Sequence, residues 1–198
     1  MFLREWGRRI RSICGAVLLL VGCVLPCAAA PASVGRGDMG RFLALLDAGF
    51  DAAKVDLVVQ FANDPNGTYA QHKRAMEENG FEEPYPNIYL DIVIDHMSER
   101  ERLVRLDWKA GRDDISWAAE TLSGGRVKAL LDDRAEEEDT NALLALASDR
   151  LAKQGYAFLC IDDGSDSYPA FLVPAKSAKS VIDAAAKCGI RVLSVKDA

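Results

Sequence analysis

The amino-acid sequence predicts an α+β domain: a four-stranded antiparallel or mixed sheet with helices packed mainly on one face. Three observations predict it. Apolar residues recur at helical spacing through most of the chain as far as Met97. Two β-rich runs, residues 156–162 and 168–173, flank a polar turn and read as a hairpin. A last helical stripe over residues 176–187 leads through Gly189 into a closing strand at residues 190–195.

The start of the chain has a different character. Arg4, Arg8, Arg9 and Arg11 make a basic opening, residues 13–25 are uncharged and mostly apolar, and small residues follow Pro26. This is the order of a secretory signal, so residues 1–32 are expected to be a signal segment, with 33–38 a tether and 39–198 one domain. The apolar run is shorter than the roughly 20 residues of a membrane span. Leu20-Val21-Gly22-Cys23 also has the shape of a lipobox, which would lipidate Cys23 and anchor the chain. Export to the periplasm or envelope is the expectation, with contact to the membrane only through the signal segment or a lipid. The alternative is a cytoplasmic protein that starts at Met39.

In the domain, Phe42, Leu45 and Leu46 form a first apolar stripe, and Asp51 suits the cap of a second helix. Residues 63–67 are a turn cluster, and 68–79 read as a polar surface helix. From Asn87 a clear amphipathic helix places Leu90, Val93, Ile94 and Met97 together. The period then changes: residues 103–108 alternate as a strand, with Trp108 on the apolar side beside Val104 and Leu106. Asp113 and Asp114 suit a helix start, and Gly124-Gly125 its end. Residues 140–154 are a further helix. The acidic run Glu136-Glu137-Glu138-Asp139 just before it is a solvated helix start or a surface for a basic partner.

Composition narrows the function. After residue 32 the chain carries 20 Lys and Arg against 29 Asp and Glu, a net charge of −9. Such a domain does not bind nucleic acid through a broad basic face. It fits a soluble protein, or one that meets a basic partner, which could be a protein. His72 and His96 are the only histidines, and no His-x-x-x-His or Cys-x-x-Cys pair exists for zinc. No Gly-x-Ser-x-Gly elbow, phosphate loop or dinucleotide fingerprint occurs, and no catalytic residue is assigned. Cys160 and Cys188 could form a disulfide in an exported protein; otherwise both are buried small hydrophobes.

The hairpin tip Asp162-Asp163-Gly164-Ser165-Asp166-Ser167-Tyr168 gathers three carboxylates and three hydroxyls. A hydrated turn is the commoner reading. The alternative is a site for Ca²⁺ or Mg²⁺ on Asp162, Asp163 and Asp166, since hard cations take clustered oxygens; no cofactor is otherwise implied. Asp107 and Lys109 read first as a strand-end charge pair of little consequence; the alternative places them near the hairpin carboxylates in a shared cleft, a binding site with Ser165, Ser167 and Tyr168.

Leu106-Asp107-Trp108-Lys109 together with the segment from Leu159 to Tyr168 and Phe171-Leu172-Val173-Pro174 resembles an uncharacterised bacterial domain family. That family carries an Asp-Trp-Lys strand and an Asp-rich hairpin ending in proline. The resemblance covers residues 85–195 and implies no activity. Two readings follow: an exported, non-catalytic interaction domain, or a metal-binding module or metal-dependent enzyme that uses the hairpin carboxylates.

Overall fold

The computed structural model describes residues 33–46, 48–128, 130–131 and 139–197. The signal segment, Cys23 and Glu136 to Glu138 lie outside the described residues.

Four helices come first: α1 (Arg36–Leu45), α2 (Ala52–Asn63), α3 (Pro65–Glu78) and α4 (Ile88–Ser98). The boundaries have local causes. Asp51 accepts a hydrogen bond from the Lys54 amide at 2.8 Å and caps α2. Asp64 does the same for α3, taking the Gly67 amide at 2.9 Å, while Pro65 occupies the first helical position, where its missing N–H costs nothing. The predicted turn at 63–67 is therefore a capped helix start. Strand β1 (Val104–Asp107) follows, then α5 (Arg112–Leu122) and α6 (Thr140–Lys153), the latter capped by Asp139 on the Ala142 amide. The hairpin is β2 (Tyr156–Ile161) and β3 (Ser167–Pro174); α7 (Ala178–Lys187) and β4 (Val192–Ser194) close the chain.

The four strands form one sheet in the order β1-β3-β2-β4, with every neighbouring pair antiparallel. Within it Leu159 pairs with Phe171 and Cys160 with Ala170. Because side chains alternate across a strand, these two pairs face opposite sides. Leu159, Ile161, Phe171, Val173 and Val192 pack with residues of α1, α2, α4 and α7. Phe158, Cys160, Ala170, Val104 and Leu106 pack with Ile115, Leu144 and Leu151 of α5 and α6. Helices thus cover both faces, not mainly one as expected. The physical reason is the run Phe158-Leu159-Cys160-Ile161, which has no polar alternation and so must be buried on both sides.

The same alternation overturns two further expectations. Cys160 and Cys188 are both free and buried, one in each core cluster on opposite sides of the sheet, so they form no disulfide. Trp108 is not core: β1 ends at Asp107, and the next residues turn away from the sheet. The Asp107 carbonyl accepts the Ala110 amide at 2.9 Å and its carboxylate accepts the Lys109 amide at 2.8 Å. This asparagine-like turn lifts Trp108 off the sheet and leaves it 55% exposed.

The thiol placement gives a test. The thermal midpoint of the full chain should be the same with and without dithiothreitol, because no Cys160–Cys188 bond exists to reduce. A drop of several degrees on reduction, the effect of losing a disulfide worth about 2–4 kcal/mol, would contradict the placement.

Candidate functional site

The hairpin tip stands beside the end of β1, because Asp107 pairs with Ser167 and Leu106 with Tyr168. Most of its carboxylates are already engaged. Asp163 accepts a hydrogen bond from Arg105 at 2.9 Å and two from Ser165, through its amide at 3.0 Å and its hydroxyl at 2.7 Å. Asp162 accepts Arg191 at 2.8 Å and the Gly164 amide at 3.2 Å. Gly164 sits at φ +76°, a left-handed position that suits glycine. Burial pushes the Asp163 carboxyl upward most, but the Ser165 donors and Arg105 together outweigh it and hold the group below its ordinary range.

Arg105 is the residue the sequence did not single out. It lies on the sheet face covered by α4. There it also contacts Asp91 at 3.3 Å, and Asp91 accepts the Tyr85 hydroxyl. One guanidinium therefore joins α4, β1 and the hairpin tip. The available signal was the alternation of β1, which sends Arg105 to the face opposite the buried Val104 and Leu106, beside the hairpin tip it pairs with. With Asp162 and Asp163 held by arginines, Asp162, Asp163 and Asp166 do not converge. Among the described residues no group of three His, Cys, Asp or Glu side chains is placed to hold a metal ion.

What the tip does form is the wall of an open cleft. Trp108 and Tyr168 border two recesses. One, of about 460 Å³, is lined also by Lys109, Arg112, Thr140 and Asn141. The other, of about 510 Å³, is lined by Ser165, Asp166 and Ser167 besides the two aromatics. The walls are held in place. The Tyr168 hydroxyl donates to Asn141 at 3.3 Å, and Thr140 donates to the Ala110 carbonyl at 3.2 Å, which ties the start of α6 to the loop after β1. Lys109 Nζ stands 4.4 Å from the centre of the Trp108 ring, a cation–π contact. Of the residues expected to bind, Lys109, Ser165, Ser167 and Tyr168 line this cleft; Asp107 sits beside it and shapes the turn. Asn141 and Arg112 were missed, since α6 and α5 reach the cleft only through tertiary packing.

A family assignment fits these features. A family model described as a domain of unknown function (DUF6630) matches residues 38–196. The chain is a DUF6630 protein. The match begins well before residue 85, so the DUF6630 domain takes in the first helices as well as the sheet. No curated protein and no solved structure matches the chain.

The two thiols and His96 of the DUF6630 domain are embedded in the fold. Burial, with the nearby Asp162 and Asp163 charges, pushes the Cys160 thiol up to about 11; burial and Asp38 do the same to Cys188. Neither is a thiolate at neutral pH. A second cavity, of about 380 Å³ between α2, α3 and α4, includes His72 and His96 in its wall. His96 is buried, its Nδ1 lies 2.9 Å from the Arg100 guanidinium, and its ring stacks against Phe50. Burial first, then Arg100 and Lys54, lower its pKa from the usual 6.5; Glu99 and the Gly49 backbone oppose this weakly.

Two outcomes are expected. Because His96 is held neutral in the fold, the unfolded chain binds the extra proton, and stability present above pH ~6.5 is lost progressively as pH falls below it. Urea unfolding between pH 7.5 and 5 should show this slope, and His96→Gln should flatten it; an unchanged slope in the variant counts against the assignment. Arg105→Ala should raise the Asp163 pKa, read by carboxyl NMR, and lower stability by about 1 kcal/mol after allowance for solvent screening. An unmoved Asp163 titration would show that Arg105 does not set it.

Proposed function

We propose that this DUF6630 protein is an exported, non-catalytic interaction domain whose Trp108–Tyr168 cleft receives a protein partner. The observation that carries the reading is the exposed Trp108, held on a turn by hydrogen bonds of Asp107 and lining two adjoining recesses of mixed character. Large aromatic side chains with exposed faces are the residues that anchor protein interfaces, where they bury much area at little entropic cost. The fold does not need Trp108, because its ring contributes nothing to either core cluster. The engagement of Asp162, Asp163, Cys160, Cys188 and His96 with the fold supports a binding role over a catalytic one. Export to the cell envelope rests on the basic, apolar and small-residue order of residues 1–32.

The experiment is site-specific photocrosslinking in the source cells, with a benzophenone amino acid at position 108 and, as a control of equal exposure, at position 117. A discrete adduct from position 108, recovered from the envelope fraction and absent from position 117, is the expected result. Equal labelling from both positions, or none from 108, would overturn the binding reading. Adducts found only in the cytoplasmic fraction would overturn export.

A further inference from the structure

The two recesses beside Trp108 differ in charge. The first contains Lys109 and Arg112 against one carboxylate, Asp139, which caps α6. The second contains Asp166, two serines and the two aromatic rings, and no cationic side chain. Resting on the binding reading above, we propose that this second recess takes a basic side chain, a lysine or arginine, presented by an exposed segment of the protein partner.

Three observations carry it. Asp162 and Asp163 are neutralised by Arg191 and Arg105, whereas Asp166, exposed at the same tip, has no ion pair or hydrogen bond among the described residues. It is thus the one tip carboxylate able to accept an incoming cation without giving up an existing partner. The Trp108 ring already carries a cation, Lys109, at 4.4 Å on one face, so a second cation must take the other face or displace Lys109. Lys109 lines the first recess and not the second. Finally, the net charge of −9 after residue 32 favours encounter with a basic segment and disfavours an acidic one. In the bound state the ammonium or guanidinium would lie over the aromatic pair, donate to the Asp166 carboxylate, and place its alkyl stem along the rings, as long basic side chains do on apolar surface.

The test titrates the ¹⁵N-labelled full chain with hexalysine, and in parallel with hexaglutamate. It follows the indole N–H signals of Trp108 and Trp117, assigned from Trp108→Phe and Trp117→Phe. Hexalysine should shift Trp108 and the amides of Asp166 and Ser167 saturably and leave Trp117 in place. Asp166→Asn should weaken binding about tenfold, which corresponds to about 1.4 kcal/mol. Lys109→Ala should bind at least as tightly, since it removes the intramolecular competitor. Asp166 makes no contact that the fold needs, so its variant should unfold at the parent temperature. Shifts spread over the whole acidic surface, or undiminished affinity in Asp166→Asn, would overturn the inference. Were hexaglutamate to shift Trp108 in place of hexalysine, the cleft would stand as a binding site and the sign of its occupant would be wrong. Silence of Trp108 toward both peptides would also overturn the inference, while the crosslinking result judges the cleft itself.

Discussion

The constraint on which the rest of the structure depends is that the central strands β2 and β3 are buried on both faces. Alternating residues of β2 and β3 must each find an apolar partner, on one side in α1, α2, α4 and α7 and on the other in α5 and α6. A sheet of this kind tolerates a polar side chain only where that chain is paired. Arg105 is such a case. It lies on the edge strand, half shielded, and its guanidinium is satisfied by Asp91, Asp163 and the Ser167 hydroxyl. The tip of the hairpin is shaped by that requirement as much as by turn chemistry.

The ion pairs also settle what the tip carboxylates can do. Asp163, which accepts Arg105 and both Ser165 donors, and Asp162, which accepts Arg191 and the Gly164 amide, have their charge paired and part of their acceptor capacity taken. For a hard cation to use Asp162 and Asp163, it would have to displace Arg191 and Arg105 and leave those guanidiniums exposed to like charge. Asp166 stands outside this network and keeps its charge toward solvent, beside two aromatic rings. The division within six residues, two carboxylates for the fold and one for the surface, follows from register: β3 begins at Ser167, directly opposite Asp107.

Much of the fold is legible in the residues. The amphipathic patterns of α4, α6 and α7, the caps Asp51 and Asp139, and the hairpin are all local features, and local features are what periodicity and turn chemistry report. The antiparallel sheet follows from the hairpin. The misreadings share one cause, which is that they depend on what lies across the chain. Trp108 continues the alternation of Val104 and Leu106 in sequence. A single turn, fixed by the Asp107 carboxylate and carbonyl, interrupts it in space. The disulfide between Cys160 and Cys188 was compatible with spacing and with export, but the pleat sends Cys160 to the α5–α6 side. The two-sided burial could have been read from Phe158 to Ile161, where apolar residues are consecutive. Of the cleft, Lys109, Ser165, Ser167 and Tyr168 were readable as one group. Asn141 and Arg112 were not, since they lie on helices with strong core patterns of their own.

Exposure alone does not make an aromatic residue a binding residue, and comparison with Trp117 shows what the role proposed for Trp108 rests on. Both rings are more than half exposed. Trp117 lies in mid-helix on α5, one position before the buried Ala118, on a helix whose opposite stripe of Ile115, Ala119 and Leu122 packs the core. Its place follows from helical geometry alone, and scattered surface aromatics of this kind need no function. Trp108 lies where the strand stops, and its position is set by hydrogen bonds that a smaller residue would satisfy equally well. Around it the structure places hydroxyls, an amide, two cations with Asp139 on one side, and on the other Asp166, which is unpaired among the described residues. Polar groups converging on an exposed ring give direction to whatever lies against it, and the proposed recognition role of Trp108 rests on that difference from an isolated exposed hydrophobe.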